Sequence, residues 1–222
     1  SVSWGSQTIH ILGLNIDPAN EALQTGLTNM RKFRDWRAEE IGRGLEQHGI
    51  ADAYIGARKY AAGVSVSRTH FARFLVEHGH AQDVQQVFKR FLVRGKPGYV
   101  EGEWASLEAA LGWIHAAGGE AVIAHPARCK LAATHLRRLL TAFKEQGGAA
   151  IEVVSGSHSR DECRHMGDYA RQFNLLSSAG SDYHGPLNPW LELGRLPELP
   201  SGCTPIWERW ERNKIADLPV KN

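Results

Sequence analysis

The sequence predicts an α/β fold that is interrupted by a helical insert. Three observations in the 222-residue chain support this: strand-like segments at the start, helical periodicity over residues 20–100, and alternating strand and helix patterns over residues 101–222. Alternating strands and helices favour parallel strands in one sheet. Residues 1–19 and 101–222 are therefore expected to form one domain, and residues 20–100 a helical insert domain.

The amino-terminal segment predicts two short strands joined by a turn. Residues 2–4 and 8–14 alternate in polarity and carry β-branched side chains, and the Gly-Ser-Gln sequence at residues 5–7 lies between them. Asp17-Pro18 ends this pair of strands.

The insert follows the helical period. Apolar residues recur at steps of three and four from Leu23 to Leu45, among Arg, Lys and Glu. Two further helices are expected at residues 69–78 and 81–92. The glycines and the proline of residues 94–99 predict a loop after them.

Strands and helices then alternate to near the carboxyl terminus. Ser106 is a good N-cap for the next helix, which is expected to end near Gly118. The elements expected after it are a buried strand at 121–124, a helix at 131–146, a strand at 150–154, a helix at 160–173 and a strand at 175–179.

Composition excludes several classes of protein. A content of 42% hydrophobic residues is enough for a sizeable core, and a net charge of +2 is too small to mark a duplex DNA or membrane-surface binder. Three cysteines without CxxC spacing favour a reducing compartment, so cytoplasm is expected. No apolar run is long enough to span a membrane, and no secretory leader is visible.

Four residues at the ends of predicted strands are candidate metal ligands: His10, His125, Asp182 and His184. Side chains two apart at a strand end face the same side, so Asp182 and His184 can share one pocket. Imidazole and carboxylate groups bind metals of the zinc, manganese and iron group. A metal-dependent hydrolase is therefore indicated. Taken singly the signals are weak, since His10 could equally be an ordinary histidine on a half-exposed strand.

Motifs in a fixed order resemble the polymerase-and-histidinol-phosphatase (PHP) family, and within it most closely the bacterial 3',5'-nucleoside bisphosphate phosphatases, some of which degrade short RNA from 5' to 3'. The motifs are His10, Ser67-Arg68-Thr69-His70-Phe71, Gly95-Lys96-Pro97-Gly98-Tyr99-Val100, Ala124-His125-Pro126, Gly156-Ser157-His158-Ser159 and Gly180-Ser181-Asp182-Tyr183-His184. The resemblance implies a distorted (β/α)7 barrel of the PHP type and a cluster of divalent metals, manganese above all, with iron or zinc as alternatives.

The resemblance also implies roles for individual residues. His10 and His125 would share one metal, Asp182 would bind a second, and His184 would help to bind a third. No side chain is expected to be the nucleophile, because water activated by the metals attacks the phosphate. The expected substrate is a nucleoside 3',5'-bisphosphate, or the 5' end of a short RNA. Its phosphates would be held by Arg68, His70, Lys96, Arg128 and His158.

One departure from the family pattern bears on activity. The family opens with a His-x-His motif, an Asp, an Asp-His pair and a Glu, and none of these occurs in this chain. We therefore expect a barrel that is truncated at its amino terminus and has an incomplete metal site. Two alternatives stay open: a catalytically silent PHP-like binding or scaffold module, and another PHP phosphatase, such as a histidinol-phosphate phosphatase.

Overall fold

The computed structural model of the protein describes residues 1–5, 7–63, 65–102, 104–183 and 193–210. The chain divides into two compact units, one formed by Ser1–Leu23 with Trp104–Asn222 and the other by Gln24–Glu103. The expected boundaries after residues 19 and 100 lie a few residues before the observed ones.

The first unit is a mixed α/β structure. Its strands are β1 (Val2–Trp4), β2 (Gln7–Ile9), β3 (Ile11–Leu14), β4 (Ala105–Ser106), β5 (Glu120–Ile123), β6 (Ala150–Ser155) and β7 (Leu176–Gly180). The helices of both units are α1 (Glu21–Glu46), α2 (Ala53–Arg58), α3 (Arg68–Glu77), α4 (Val84–Val87), α5 (Leu107–Ala116), α6 (Ala133–Glu145) and α7 (Arg160–Gln172). None of the helices in the described ranges is both long and apolar enough to cross a membrane.

Strands β5, β6 and β7 form the parallel sheet that the alternating pattern predicts. β6 lies in the middle and pairs in parallel with β5 on one side and β7 on the other. All six residues of β6 are buried. Its Ile151, Val153 and Val154 share an apolar cluster with helices α6 and α7, which contribute Phe143 and Met166. The predicted parallel pairing of these strands is confirmed.

The amino-terminal segment differs from the prediction at one point. β1 and β2 form the expected antiparallel hairpin, with Val2 opposite Ile9. The expected single strand over residues 8–14, however, breaks at His10, and β3 leaves the hairpin to pair antiparallel with β5. The break is needed because the two halves belong to different sheets, β2-β1-β4 and β3-β5-β6-β7.

The described strands form these two open sheets and no closed barrel. A mixed α/β architecture is therefore established for the described residues.

The second unit is helical. Ile41 and Leu45 of α1 pack with Phe71 and Leu75 of α3 in one buried cluster. The sequence analysis did not predict α2. It packs closely on α3 because Gly56 has no side chain: a Cβ there would lie 2.1 Å from the Phe74 ring. The helix expected at 81–92 begins instead at Val84 and continues as a π-helical turn, Phe88–Leu92.

Helix α7 begins with a capping box. The Ser159 hydroxyl accepts a hydrogen bond from the Glu162 N–H at 3.2 Å, and the Glu162 carboxylate accepts one from the Ser159 N–H at 2.7 Å. These two bonds satisfy backbone donors that the first turn of a helix leaves without partners. The box lies directly after the loop that follows β6, so it fixes how the chain leaves the sheet.

Ser159→Ala should lower the free energy of unfolding by about 1 kcal/mol, because the N–H of Glu162 loses its partner. Urea unfolding followed by circular dichroism measures the change. Thr134→Ala, at an exposed position of α6, is the control and should change stability by less than about 0.5 kcal/mol. Equal stability of Ser159→Ala and the wild type would contradict this role of the cap.

Candidate metal centre

Two histidines that are far apart in sequence meet at the edge of the parallel sheet. His10 stands at the break between β2 and β3, and His125 follows β5. The Ala124 N–H donates to the His10 carbonyl at 3.0 Å, which joins the two segments. The His10 Nδ1 and the His125 Nε2 lie 3.0 Å apart, with the rings edge to face at 76°. Both predicted ligands therefore face each other.

Both imidazoles are kept neutral by their surroundings. Burial, and to a smaller extent the neighbouring His125, lower the pKa of His10 to about 4. Burial also lowers the pKa of His125. Neutral imidazole is the form that binds metals, because its unprotonated nitrogen carries a free lone pair.

Asp182 lies at the same edge, just after β7. Its backbone is left-handed, with φ of 52°, and its charge acts on both His10 and His125. Its carboxylate forms an ion pair with Arg128 at 2.6 Å. Arg128 belongs to the 3₁₀ turn Pro126–Cys129, which begins directly after His125. The predicted phosphate ligand Arg128 thus neutralises the predicted metal ligand Asp182.

The imidazole pair fits a divalent metal. Two nitrogens bound to one zinc ion at tetrahedral angles lie about 3.3 Å apart, close to the spacing of the His10 and His125 nitrogens. Within the described ranges, however, no three His, Cys, Asp or Glu side chains converge on one point that could hold an ion. The assignment of His10, His125 and Asp182 as ligands stays a prediction, and His184 lies outside the described residues.

Glu152 is a residue of the site that the sequence analysis missed. It lies in the buried strand β6 and is 4% exposed. Its Oε2 accepts a hydrogen bond of 2.6 Å from the backbone N–H of His125. Burial raises the pKa of this carboxyl to about 7, although the His125 hydrogen bond opposes the rise. The available signal was a single acidic residue inside the apolar run Ala150-Ile151-Glu152-Val153-Val154.

His158 follows the carboxyl end of β6. Its Nδ1 lies 3.1 Å from the Val153 carbonyl, so Nδ1 carries the proton and donates. Its Nε2 is buried and has no hydrogen-bond partner among the described residues. His158 also contributes to lowering the pKa of His125.

The other predicted phosphate ligands, Arg68, His70 and Lys96, belong to the helical unit. His70 takes part in the start of α3, where its Nδ1 accepts the Ser67 N–H at 3.1 Å. The Arg68 guanidinium lies 5.7 Å from the centre of the Phe88 ring. Lys96 is in the turn after the π-helical segment, where its N–H bonds to the Val93 carbonyl. Their role in binding substrate stays a prediction.

Known proteins resemble nearly the whole chain. A 3',5'-nucleoside bisphosphate phosphatase from Chromobacterium violaceum is 47% identical over 212 residues, which are 95% of this chain and 74% of that protein. The 5'-3' exoribonuclease Rnm from Salmonella typhimurium is 44% identical over 216 residues, which are 97% of this chain and 73% of that protein. The chain belongs to the nucleoside bisphosphate phosphatase and Rnm family of phosphoester hydrolases. No family model matches the chain.

Solved structures support the fold of this phosphatase and Rnm family member. A structure described as an amidohydrolase from Chromobacterium violaceum, with bound sulfate and no metal, is 47% identical and superimposes with a TM-score of 0.86 over 95% of this chain and 74% of that one. A structure described as a metal-dependent phosphoesterase from Bifidobacterium adolescentis, 22% identical, has a TM-score of 0.75 over 95% of this chain and 72% of that one. The second likeness concerns the mixed α/β fold alone.

His10→Ala and His125→Ala should each weaken binding of Co²⁺ by at least about tenfold, since each removes one of the two facing nitrogens. Loss of a residue that only hydrogen-bonds to a metal ligand already weakens metal binding by about tenfold or more. Absorption titration with Co²⁺ measures the affinity. His135→Ala is the control, because His135 is exposed on α6. Wild-type affinity in both variants would exclude the pair as a metal site.

Proposed function

We propose that this chain contributes to the catalytic site of a metal-dependent phosphoesterase, which removes the 3'-phosphate from nucleoside 3',5'-bisphosphates. The observation that carries the proposal is the pair of neutral imidazoles, His10 and His125, 3.0 Å apart beside Asp182. Membership of the phosphatase and Rnm family supplies the substrate class. The PHP-type (β/α)7 barrel is the fold we propose for the complete site.

In this proposal one group of residues binds metal and another binds substrate. His10, His125 and Asp182 would hold divalent metal, with manganese preferred over iron or zinc. Bound metal would lower the pKa of a water ligand to about 7 and neutralise phosphoryl oxygens. His184 completes the proposed ligand set.

Arg128 is suited to exchange partners when a phosphate arrives. Its side chain is 53% exposed, whereas that of its partner Asp182 is 17% exposed. A phosphate entering from solvent therefore meets the guanidinium first, and its two oxygens can accept the bidentate hydrogen bonds that Arg offers. The exchange would release the Asp182 carboxylate toward the imidazoles.

Arg68, His70 and Lys96 would bind the second phosphate, and His158 would contact the first. The same assignment of residues to two phosphates would allow a short RNA to bind by its 5' end, which is consistent with relatives named 5'-3' exoribonuclease. The three free thiols, Cys129, Cys163 and Cys203, are compatible with the cytoplasm as the compartment.

The proposal predicts manganese-dependent release of phosphate from adenosine 3',5'-bisphosphate, abolished by chelation and by Asp182→Ala. Phosphate release should be measured with the 222-residue chain and with the same chain extended by any upstream coding sequence. Short RNA and histidinol phosphate complete the substrate panel.

The outcome of this assay distinguishes the proposed function from the two alternatives. Faster turnover of histidinol phosphate than of every bisphosphate would favour the other PHP phosphatase. Metal binding without turnover of any substrate, in both forms of the chain, would favour the silent binding module.

Arg68→Ala should raise KM for the bisphosphate by about tenfold or more, because a hydrogen bond to a charged group contributes about 1.5–3 kcal/mol. The value of kcat should change little, since a phosphate clamp acts in the ground state and the transition state alike. Arg58→Ala, also exposed in the helical unit, is the control. An unchanged KM in Arg68→Ala would remove Arg68 from the substrate site.

A further inference from the structure

Among the described residues, Glu152 is the one charged side chain that is almost fully buried, at 4% exposure. Burying a carboxylate is costly unless hydrogen bonds compensate, so such a residue is expected to have a specific task. It lies on the central strand β6, between the strand that ends at His125 and the strand that leads to Asp182.

Each carboxylate oxygen of Glu152 lies against a different neighbouring strand. Oε2 accepts the His125 N–H at 2.6 Å. Oε1 occupies space that Gly180 leaves open, because a Cβ at residue 180 would lie 2.3 Å from it. The β6–β7 register also shifts between Glu152 and Val154. The sheet is therefore built around this carboxylate.

The partner of Oε2 has a strained backbone. His125 adopts φ of 31° and ψ of 55°, a left-handed conformation that costs free energy in any residue other than glycine. Such a conformation persists only where surrounding contacts hold it. The hydrogen bond to Glu152, at 2.6 Å, is short for an N–H···O bond.

We propose that Glu152 is a positioning residue, whose carboxylate holds the left-handed turn at His125 so that the His125 imidazole faces His10. Through its contact with Gly180, the same carboxylate sets the distance between this turn and Asp182. The inference rests on the proposed function, in which His10 and His125 bind metal. In this proposal Glu152 acts through the His125 turn and is not itself a metal ligand.

Replacing Glu152 by Gln and by Ala separates positioning from general destabilisation. Gln keeps an oxygen that can accept the His125 N–H, whereas Ala removes it. Glu152→Ala should weaken Co²⁺ binding by about 10–100-fold, the loss found when an outer partner of a ligand is removed, and Glu152→Gln should stay within about threefold of the wild type. Equal losses in both variants, or none in Glu152→Ala, would overturn the proposal.

Gly180→Ala tests the same contact from β7 and keeps the carboxylate. The added methyl group should displace Oε1 and weaken Co²⁺ binding by about tenfold in the wild-type background. In the Glu152→Ala background it should have no effect, because nothing remains to be displaced. Equal effects in the two backgrounds would mean that the residues are not coupled and would contradict the proposal.

Hydrogen exchange at the His125 amide supplies a readout that needs no metal. We expect exchange to become at least about tenfold faster in Glu152→Ala and to stay near the wild-type rate in Glu152→Gln. Absence of Co²⁺ binding by the wild type would count against the proposed function alone, and amide exchange would still decide the role of Glu152. Unchanged exchange in Glu152→Ala would overturn the inference even if the enzyme is active.

Discussion

The parallel pairing of β5, β6 and β7 is the constraint on which the site depends. Parallel strands end at the same edge of a sheet, so His125, His158 and Asp182, which follow three successive strands, are brought to one place. The pairing is maintained by complete burial of β6 beneath α6 and α7. The closely packed sheet can hold the left-handed backbone of His125 and Asp182 at this edge.

Burial at this edge also determines the chemistry of the side chains. Desolvation lowers the pKa of His10 and His125 and raises that of Glu152, so in each case it favours the uncharged form. Asp182 has Arg128 as an ion-pair partner. Neutral imidazoles can offer nitrogen lone pairs to a cation, a property that suits a family of phosphoester hydrolases.

A glycine makes room for the buried carboxylate at this edge. Gly180 leaves the space that the Glu152 carboxylate occupies. The left-handed backbone at His125 and at Asp182 turns the chain sharply after β5 and after β7. The structure therefore combines a regular apolar sheet with strained turns directly at its edge. Strained backbone of this kind is typical of functional sites, and it persists only where surrounding contacts hold it.

Sequence alone determined the alternation of β5, α6, β6, α7 and β7, since the hydrophobic period of each element depends on residues close together in the chain. It also placed His125 and Asp182 at strand ends. Only the tertiary structure decided that the strand at residues 8–14 breaks at His10, that Arg128 pairs with Asp182, and that Glu152 accepts a hydrogen bond from the His125 N–H. These features depend on contacts between segments far apart in the chain, and local periodicity carries no information about such contacts.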